Sequence, residues 1–530
     1  MRASSVNRRR ILSLWLPRLP IDRLKRQLSS SGALDDAEPC AVVAKLNNAL
    51  AIVALNDAAA RFGLDAGQPL ANARAICPDL QVFDADEFAD AKLLSGIADW
   101  CDRFTPLVAL DPPHGLFLDV SGCAHLFGGE TKMMQTVCAS LIRQGFAVNA
   151  AIASTPVCAR TLSRAVSGRI VADGEETDAV TPLPLWALTS DETITRGLRR
   201  AGLKTIDDVA SRAPHEITAR FGTEFTSLLQ QALGQSDAPI SPRKPVPDYV
   251  AEKRFPEPVS TDTVIASALS GLARMLIAAM DRAGKGARML EASFFRTDGA
   301  VRSMSVETGQ PVTKADFIDR LFRERLDALA DPLDPGFGFD LIRLSASRTE
   351  IVIQEQRDFD TRTQESDDVA ALIDRIAARI GSRRVVVHLP QDTHIPERAE
   401  IASPAQHCLA TASQTAWPDR CKSEPPLRPL RMFERPEEVS VIADFPHGPP
   451  ASFNWRKAQH RIVRVEGPER IAMEWWRQPF GTDPAENREA RTRDYFRIED
   501  GEGCRFWLYR EGIYGREVST FRWFMQGVFA

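Results

Sequence analysis

The strongest constraint on this fold is the order in which short apolar runs and helical patterns follow one another. Residues 11–16, ILSLWL, form a continuous apolar run cut off by Pro17 and Pro20, the pattern of a buried strand. Residues 39–55, PCAVVAKLNNALAIVAL, read as two strands around a turn at Asn47-Asn48. DAAARFGLDAGQPLANARAICPDL then reads as a helix stopped by Gly63, a turn, and a second helix stopped before Pro78. GLFLDVSG, residues 115–122, is a strand, and FAVNAAIAS is another, followed by a helix from Pro156. Strands and helices mixed in this order predict an α+β fold.

Residues 183–222 differ, with small helices separated by glycine turns. In LRRAGLKTIDDVA a helix, a hairpin at Gly202 and a helix capped by Thr205 are expected. Such a unit offers backbone N–H groups and a helix N-terminus to a phosphate, with Arg199, Arg200 and Lys204 beside it. The alternative is an ordinary helical hairpin. Residues 241–259, rich in proline and charge, read as a linker. A second α+β unit runs to about residue 390, with long helices at TDTVIASALSGLARMLIAAMDRAG, KADFIDRLFRERLDALA and VAALIDRIAARIG. Residues 391–430 show little periodicity and are expected to be a flexible connector. From 431 the chain turns to strands and holds five of the nine tryptophans and three of the four tyrosines, so an aromatic β-domain is expected there.

A chain of 530 residues implies several domains. The net charge of −5 gives no global argument for nucleic acid, so any DNA contact has to come from local basic patches. No apolar run approaches the ~20 residues needed to span a bilayer, which leads us to expect a cytoplasmic protein. The nine cysteines form no C-x-x-C pair, which favours buried free thiols over a zinc site or a disulfide framework.

Three segments, in order, are similar to the Y-family translesion DNA polymerases over roughly the first 390 residues. GLDAGQPLANARAICPDL resembles the family's fingers and palm stretch, LFLDVSGCAHLFGG its A-[YF]-L-D-[VI]-[ST]-G strand, and LRRAGLKTIDDVA its helix-hairpin-helix thumb. The opening RRRILSLWLPRLPIDRL and the closing FWLYREGIYGREVSTFRWFMQGVFA resemble the ImuB-like branch of that family, the polymerase-like component of bacterial ImuA–ImuB mutagenesis cassettes. The resemblance implies a multidomain right-hand Y-family polymerase architecture: palm-like segments 1–30 and 76–180, fingers-like 31–75, thumb 181–240, linker 241–259, little finger 260–390, flexible linker 391–430, and an extra, mostly β, partner-binding domain 431–530. It also implies DNA-damage-induced translesion synthesis and mutagenesis, with damaged or primer-template DNA, the sliding clamp (beta), an ImuA-like protein and an error-prone C-family DNA polymerase as partners.

The departures from the family are as informative. Phosphoryl transfer to a primer needs two Mg²⁺ held by carboxylates. The family's first metal-binding Asp falls at Trp15, and its Asp-Glu pair falls at His114 and Gly115. An indole cannot ligate a hard cation and glycine has no ligand atom. Asp111 and Asp119 lie nearby in sequence. The steric-gate aromatic falls at Pro20, the triphosphate-binding Tyr and Arg at Asp57 and Ala60 with Arg61 adjacent, and the palm Lys at Pro156. These changes imply degenerate positions at Trp15, His114 and Gly115, with no catalytic residue, metal or cofactor: a noncatalytic adaptor. The alternative is an active, divergent Y-family polymerase using Mg²⁺ and dNTPs.

For DNA the resemblance points to Arg199, Arg200, Gly202, Lys204 and Thr205 in the thumb, with Lys285, Arg288, Arg296, Arg343 and Arg348 as weaker little-finger candidates. The family's clamp peptides look like Q-L-x-L-F. PLRMF, residues 429–433, supplies Leu430, Met432 and Phe433 as clamp-binding anchors, and the competing reading is the first strand of the C-terminal domain. Trp475, Trp476, Trp507, Tyr509, Trp523 and Phe524 either face partners or form an aromatic core.

Overall fold

The computed structural model describes residues 9–28, 37–46, 49–329, 333–352, 361–408, 428–429, 431–444, 448–477 and 491–529. The chain divides into two units, residues 1–358 and 359–530.

In the first unit a five-stranded sheet runs in the order Val108–Asp111, Gly115–Asp119, Ile11–Trp15, Asn149–Ala153, Arg169–Ile170. Ile11–Trp15 is its central strand and is antiparallel to both neighbours. Leu12 and Leu14 pack toward helices Glu87–Cys101 and Glu130–Arg143. Ile11 packs on the other face with helix Pro156–Ala165, where Ser13 meets Ser163 at 3.0 Å. Burial on both faces is why the run is apolar without alternation.

A smaller sheet orders Ala49–Leu55, Cys40–Leu46, Gln81–Asp84. The turn expected at Asn47-Asn48 lies outside the described residues. Because Gln81–Asp84 pairs in parallel with Cys40–Leu46, the fingers-like unit extends past residue 76, and the boundary drawn there is corrected. Helices Glu192–Arg200, Ile206–Ala210 and Pro214–Ala232 follow, packed through Leu198, Ile206 and Phe225 onto the core under helix Pro156–Ala165.

The next domain is a four-stranded antiparallel sheet in the order Val301–Val312, Lys285–Arg296, Phe339–Ile351, Tyr249–Val259. Two corrections follow. Tyr249–Val259 is a strand, so the linker is confined to residues before 249, and Arg243 and Lys244 in it are tied to Asp99 at 3.2 and 2.9 Å. Val301–Val312 is a strand that the sequence reading omitted. Both are the outer strands of the sheet, where one edge needs no ladder partner and proline and charge are tolerated. Helix Asp262–Asp281 is, contrary to the expectation above, long and apolar enough to cross a membrane by length and composition. Its Ile265, Leu269, Leu272, Leu276 and Met280 are buried, and it packs on this sheet.

In the second unit helix Thr361–Ile380 groups with the chain that follows it, not with the little finger as drawn; Asp374 accepts a 2.8 Å hydrogen bond from the Gln406 amide. Within the supposed flexible connector, Glu400–Pro404 pairs with Val386–Pro390. Residues 409–427 lie outside the described residues. Six strands then close a barrel: Arg431–Ala443, Pro450–Trp455, Ala458–Ile471, Arg493–Asp500, Arg505–Glu511 and Arg522–Val528. Along Arg505–Glu511, alternate residues serve two cores: Phe506 and Leu508 join Phe453 and Met525, while Trp507 and Tyr509 join Tyr495, Phe524 and Ile395.

Candidate functional site

Strand register brings the degenerate positions together. Trp15 lies opposite Gly115, and Gly115 lies opposite Asp111. Leu16 donates its N–H to the His114 carbonyl at 2.8 Å, closing that end of the sheet. Gly115 has no room for a side chain, since a Cβ there would stand 2.8 Å from both the carbonyl oxygen and Oδ2 of Asp111. The position where the resemblance puts a carboxylate is therefore filled by the Asp111 side chain itself.

Asp111 is already paired with a cation. Its Oδ1 is 3.3 Å from Arg160 Nη1. Arg160 and Arg164 lie one turn apart on helix Pro156–Ala165 and so share a face. Burial holds the Arg164 guanidinium below its usual pKa, and the Arg160 charge adds to this while Asp111 opposes it. Burial likewise pushes the His114 imidazole down; Asp90 works against that shift and Arg164 adds to it. His114 is thus neutral at pH 7, and the local balance is two guanidiniums to one carboxylate. The Nε of each arginine is buried with no hydrogen-bond partner among the described residues.

The neighbouring carboxylates are engaged elsewhere. Asp90 binds Arg23 at 2.6 Å, and Asp22 accepts from the Ala147 N–H at 2.9 Å. Asp119 sits at the opposite end of strand Gly115–Asp119, about 13 Å along it at 3.3 Å per residue, and binds Ser121. Asp57 pairs with Arg18 at 2.5 Å, Pro20 is buried within helix Leu19–Leu28, and Pro156 opens its helix. Arg61 is exposed. Among the described residues no group of three or more His, Cys, Asp or Glu could hold a metal ion. This donor set does not fit a pair of Mg²⁺ ions. Arg160 and Arg164 were missed by sequence reasoning; their i, i+4 spacing was visible, but the carboxylate they face comes from a strand almost 50 residues upstream.

At the thumb hairpin, Arg199, Arg200, Gly202 and Lys204 are exposed, and Gly202 takes the left-handed φ of +78° that the turn requires. Its amides, however, are already bonded. Gly202 N–H donates to Arg199 O at 3.0 Å and Leu203 N–H to Leu198 O at 3.1 Å. The N–H groups of Lys204 and Thr205 both donate to Asp208 Oδ2, at 2.8 and 2.9 Å, while Thr205 Oγ1 accepts from Asp208 N–H. This capping box corrects the expectation of free phosphate donors at Gly202 and Thr205 and leaves the three cationic side chains. Hydrogen bonds from the Thr205 and Lys204 amides hold the Asp208 carboxyl below the usual range. A depressed carboxylate stabilises above its unfolded pKa, so the cap is lost as pH falls through the folded value. Protection of the Lys204 and Thr205 amides, relative to their intrinsic exchange rates, is expected to be high at neutral pH and to fall as pH drops through the depressed Asp208 value, and Asp208→Ala should remove it throughout.

In the little finger most of the named arginines are tied down. Arg288 binds Gly309 O at 2.5 Å, Arg296 binds Asp298 and Asp334, and Arg343 binds Glu252. Lys285 sits over the Tyr249 ring, and Arg348 is exposed. In the barrel the clamp-motif assignment is corrected. Met432 pairs with Gly527 in the closing ladder, and Phe433 packs against the barrel core 6.1 Å from the Trp455 ring. A peptide cannot fill a partner's pocket while it closes its own barrel. Leu430 lies outside the described residues. Trp507, Tyr509, Trp523 and Phe524 are core, whereas Trp476 is exposed.

Comparison with known proteins bears on this geometry. Residues 30–164 match the impB/mucB/samB family, and residues 247–358 match the impB/mucB/samB family C-terminal domain. The chain is 35% identical over 473 residues to Protein ImuB of Caulobacter vibrioides, spanning 88% of this chain and 100% of that protein. DNA polymerase IV of Opitutus terrae is 23% identical over 46% of this chain and 66% of its own length. The crystal structure of DinB from Sulfolobus solfataricus aligns with 65% of this chain and 100% of its own, at 14% identity and a TM-score of 0.36.

Proposed function

Because this chain belongs to the ImuB family, whose sequence carries the impB/mucB/samB domains, we propose that it is a noncatalytic Y-family polymerase-like adaptor in damage-induced mutagenesis. It binds primer-template DNA and the sliding clamp, associates with an ImuA-like protein, and brings an error-prone C-family polymerase to the lesion. The observation that carries this reading is the end of the central sheet, where Trp15, Gly115 and the Asp111–Arg160 pair stand in place of a carboxylate cluster. Two divalent cations brought there would meet two arginines and one already neutralised aspartate, and without the ions the 3′-oxygen and the leaving phosphate lose their shared electrostatic stabiliser.

DNA affinity does not depend on that chemistry. Arg199, Arg200 and Lys204 present three cations at one hairpin, and charge alone supports sequence-independent backbone contact. The clamp and protein partners follow from the family, with no residues assigned to them. Primer extension by the purified chain with Mg²⁺ or Mn²⁺ and all four dNTPs is expected to give no product above a no-protein control. Robust extension that Asp111→Ala abolishes would instead establish an active polymerase.

A further inference from the structure

The closed barrel carries a feature that neither the polymerase-like architecture nor the protein partners account for. At the end where its first strand meets the hairpins at 455–458 and 500–505, a cavity of about 710 Å³ opens. That is within the ~300–1,000 Å³ of ordinary ligand sites. Phe433, Trp455, His460, Phe506 and Phe529 supply aromatic walls, Arg431 and Arg505 supply positive charge, and Arg456 is paired with Glu437. None of the lining residues is acidic.

The walls are rigid. His460 stacks on Phe453 at 4.7 Å and 14°, and its Nδ1 is held 2.8 Å from Asp500 Oδ2. Trp455 packs edge-on to Phe506 at 5.9 Å, and its Nε1–H donates to Glu437 at 2.7 Å. The Arg456 guanidinium lies over the Trp455 ring at 4.7 Å. Arg456 and Lys457 form the two-residue hairpin turn with φ of +46° and +70°. Gly, Asn and Asp suit those positions; longer side chains such as Arg and Lys pay a conformational penalty to stand there. Arg431 and Arg505 are exposed, with no carboxylate partner among the described residues. Backbone pairing sets them on strands either side of Val528.

We propose that this cavity binds single-stranded DNA, with bases stacked on the aromatic walls and phosphates met by Arg431 and Arg505. Aromatic faces accept any base and cations follow any backbone, so the site takes a single strand without regard to sequence. Duplex DNA, whose bases are already stacked on one another, does not enter. An acidic polypeptide has the charge but lacks the flat π-faces that five aromatic walls are arranged to meet. The site is separate from the thumb, so the adaptor holds a duplex in one unit and a single strand in the other.

Cys504 lies in the cavity wall and is exposed, which makes it a reporter. In the full-length chain, alkylation of Cys504 is followed by peptide mass spectrometry with and without an oligo(dT) of about twelve nucleotides, a length within known single-strand site sizes. The oligonucleotide is expected to slow Cys504 labelling by at least about tenfold and to lose most of that protection between 50 and 200 mM salt. A bromouracil-substituted strand should photocrosslink to the peptide bearing Trp455. The double variant Arg431→Glu, Arg505→Glu should remove the protection while leaving affinity for a blunt-ended duplex unchanged. Unaltered Cys504 labelling in the wild-type chain at saturating oligo(dT), or equal protection by an oligoglutamate peptide, overturns the proposal. Neither result touches duplex binding at the thumb, which the blunt-duplex measurement tests alone.

Discussion

Asp494→Ala is expected to destabilise the C-terminal barrel by about 3–5 kcal/mol, the cost of breaking a buried ion pair from one side. Strand register sets Asp494 between Arg470 on one neighbour and Arg510 on the other. Arg470 reaches its carboxylate at 2.7 and 3.0 Å, and Arg510 at 3.0 and 2.9 Å. Arg510 is 3% exposed and lies over the Phe521 and Phe496 rings, so water cannot replace the lost carboxylate. Burial alone would raise the Asp494 pKa, but the hydrogen bonds from Arg470 and Arg510 outweigh it and hold the group below the usual range. Its stabilisation is therefore present above the ordinary carboxylate pKa and is lost as pH falls through the depressed one. Hydrogen exchange in strands Arg493–Asp500 and Arg505–Glu511 is the measurement. An acceleration of about 10²-fold or more is expected, and an effect under about threefold would show that the triad contributes little. Replacing Asp494 and Arg510 together with leucine and methionine should restore most of the loss, because no charge is then left buried.

Phe295→Ala is expected to be of similar size, about 3–5 kcal/mol, but its consequence lies in the first unit. Phe295 is 1% exposed and belongs to the same core as Leu12, Leu14 and Trp100, so the little-finger sheet is packed into the core beneath the central palm strand. Arg103 and Arg343 cover its ring at 5.7 and 5.3 Å, and Arg103 continues to Asp340 at 2.9 Å. Removing the ring opens a cavity at the centre of that contact. The segment before Tyr249, pinned by Arg243 and Lys244 to the palm helix, should then become the first site of proteolysis. A variant cleaved no faster there than the parent chain would mean that the ion pairs hold the two domains together without the ring.

Much of this architecture is legible in sequence because its periods are strong. The Ile11–Trp15 run, the helices at 57–61 and 70–76, and the thumb hairpin follow from apolar spacing and from Gly63, Pro78 and Gly202. What escaped is physically of one kind. Tyr249–Val259 and Val301–Val312 are outer strands carrying proline, serine and charge, and only one of their edges must satisfy a ladder. PLRMF could be read as a clamp peptide or a strand because the same apolar residues serve either; Gly527 and Trp455, some 95 and 22 residues away from Phe433 or its neighbour, decide it. The candidate site divides likewise. That Trp15, His114 and Gly115 offer no carboxylate could be read from the sequence. That Arg160 and Arg164 approach Asp111 beside them could not, since it depends on how a helix is laid across a sheet.

The thumb shows how a motif can persist while its chemistry changes. The hairpin and its cap are present, but Asp208 spends the amides on the fold itself. The proposed DNA contact there is left to side-chain charge, and strong salt dependence with little sensitivity to sequence is expected of it.

In the proposed adaptor the palm does not gather the acidic oxygens needed to seat two divalent ions. Counting Mn²⁺ by electron paramagnetic resonance, with the full-length chain bound to a primer-template and an incoming dNTP, tests it most directly. No Mn²⁺ is expected beyond that bound by the DNA and nucleotide alone, with no difference between the wild-type chain and Asp111→Ala. Two additional ions per chain, lost in Asp111→Ala, would contradict it.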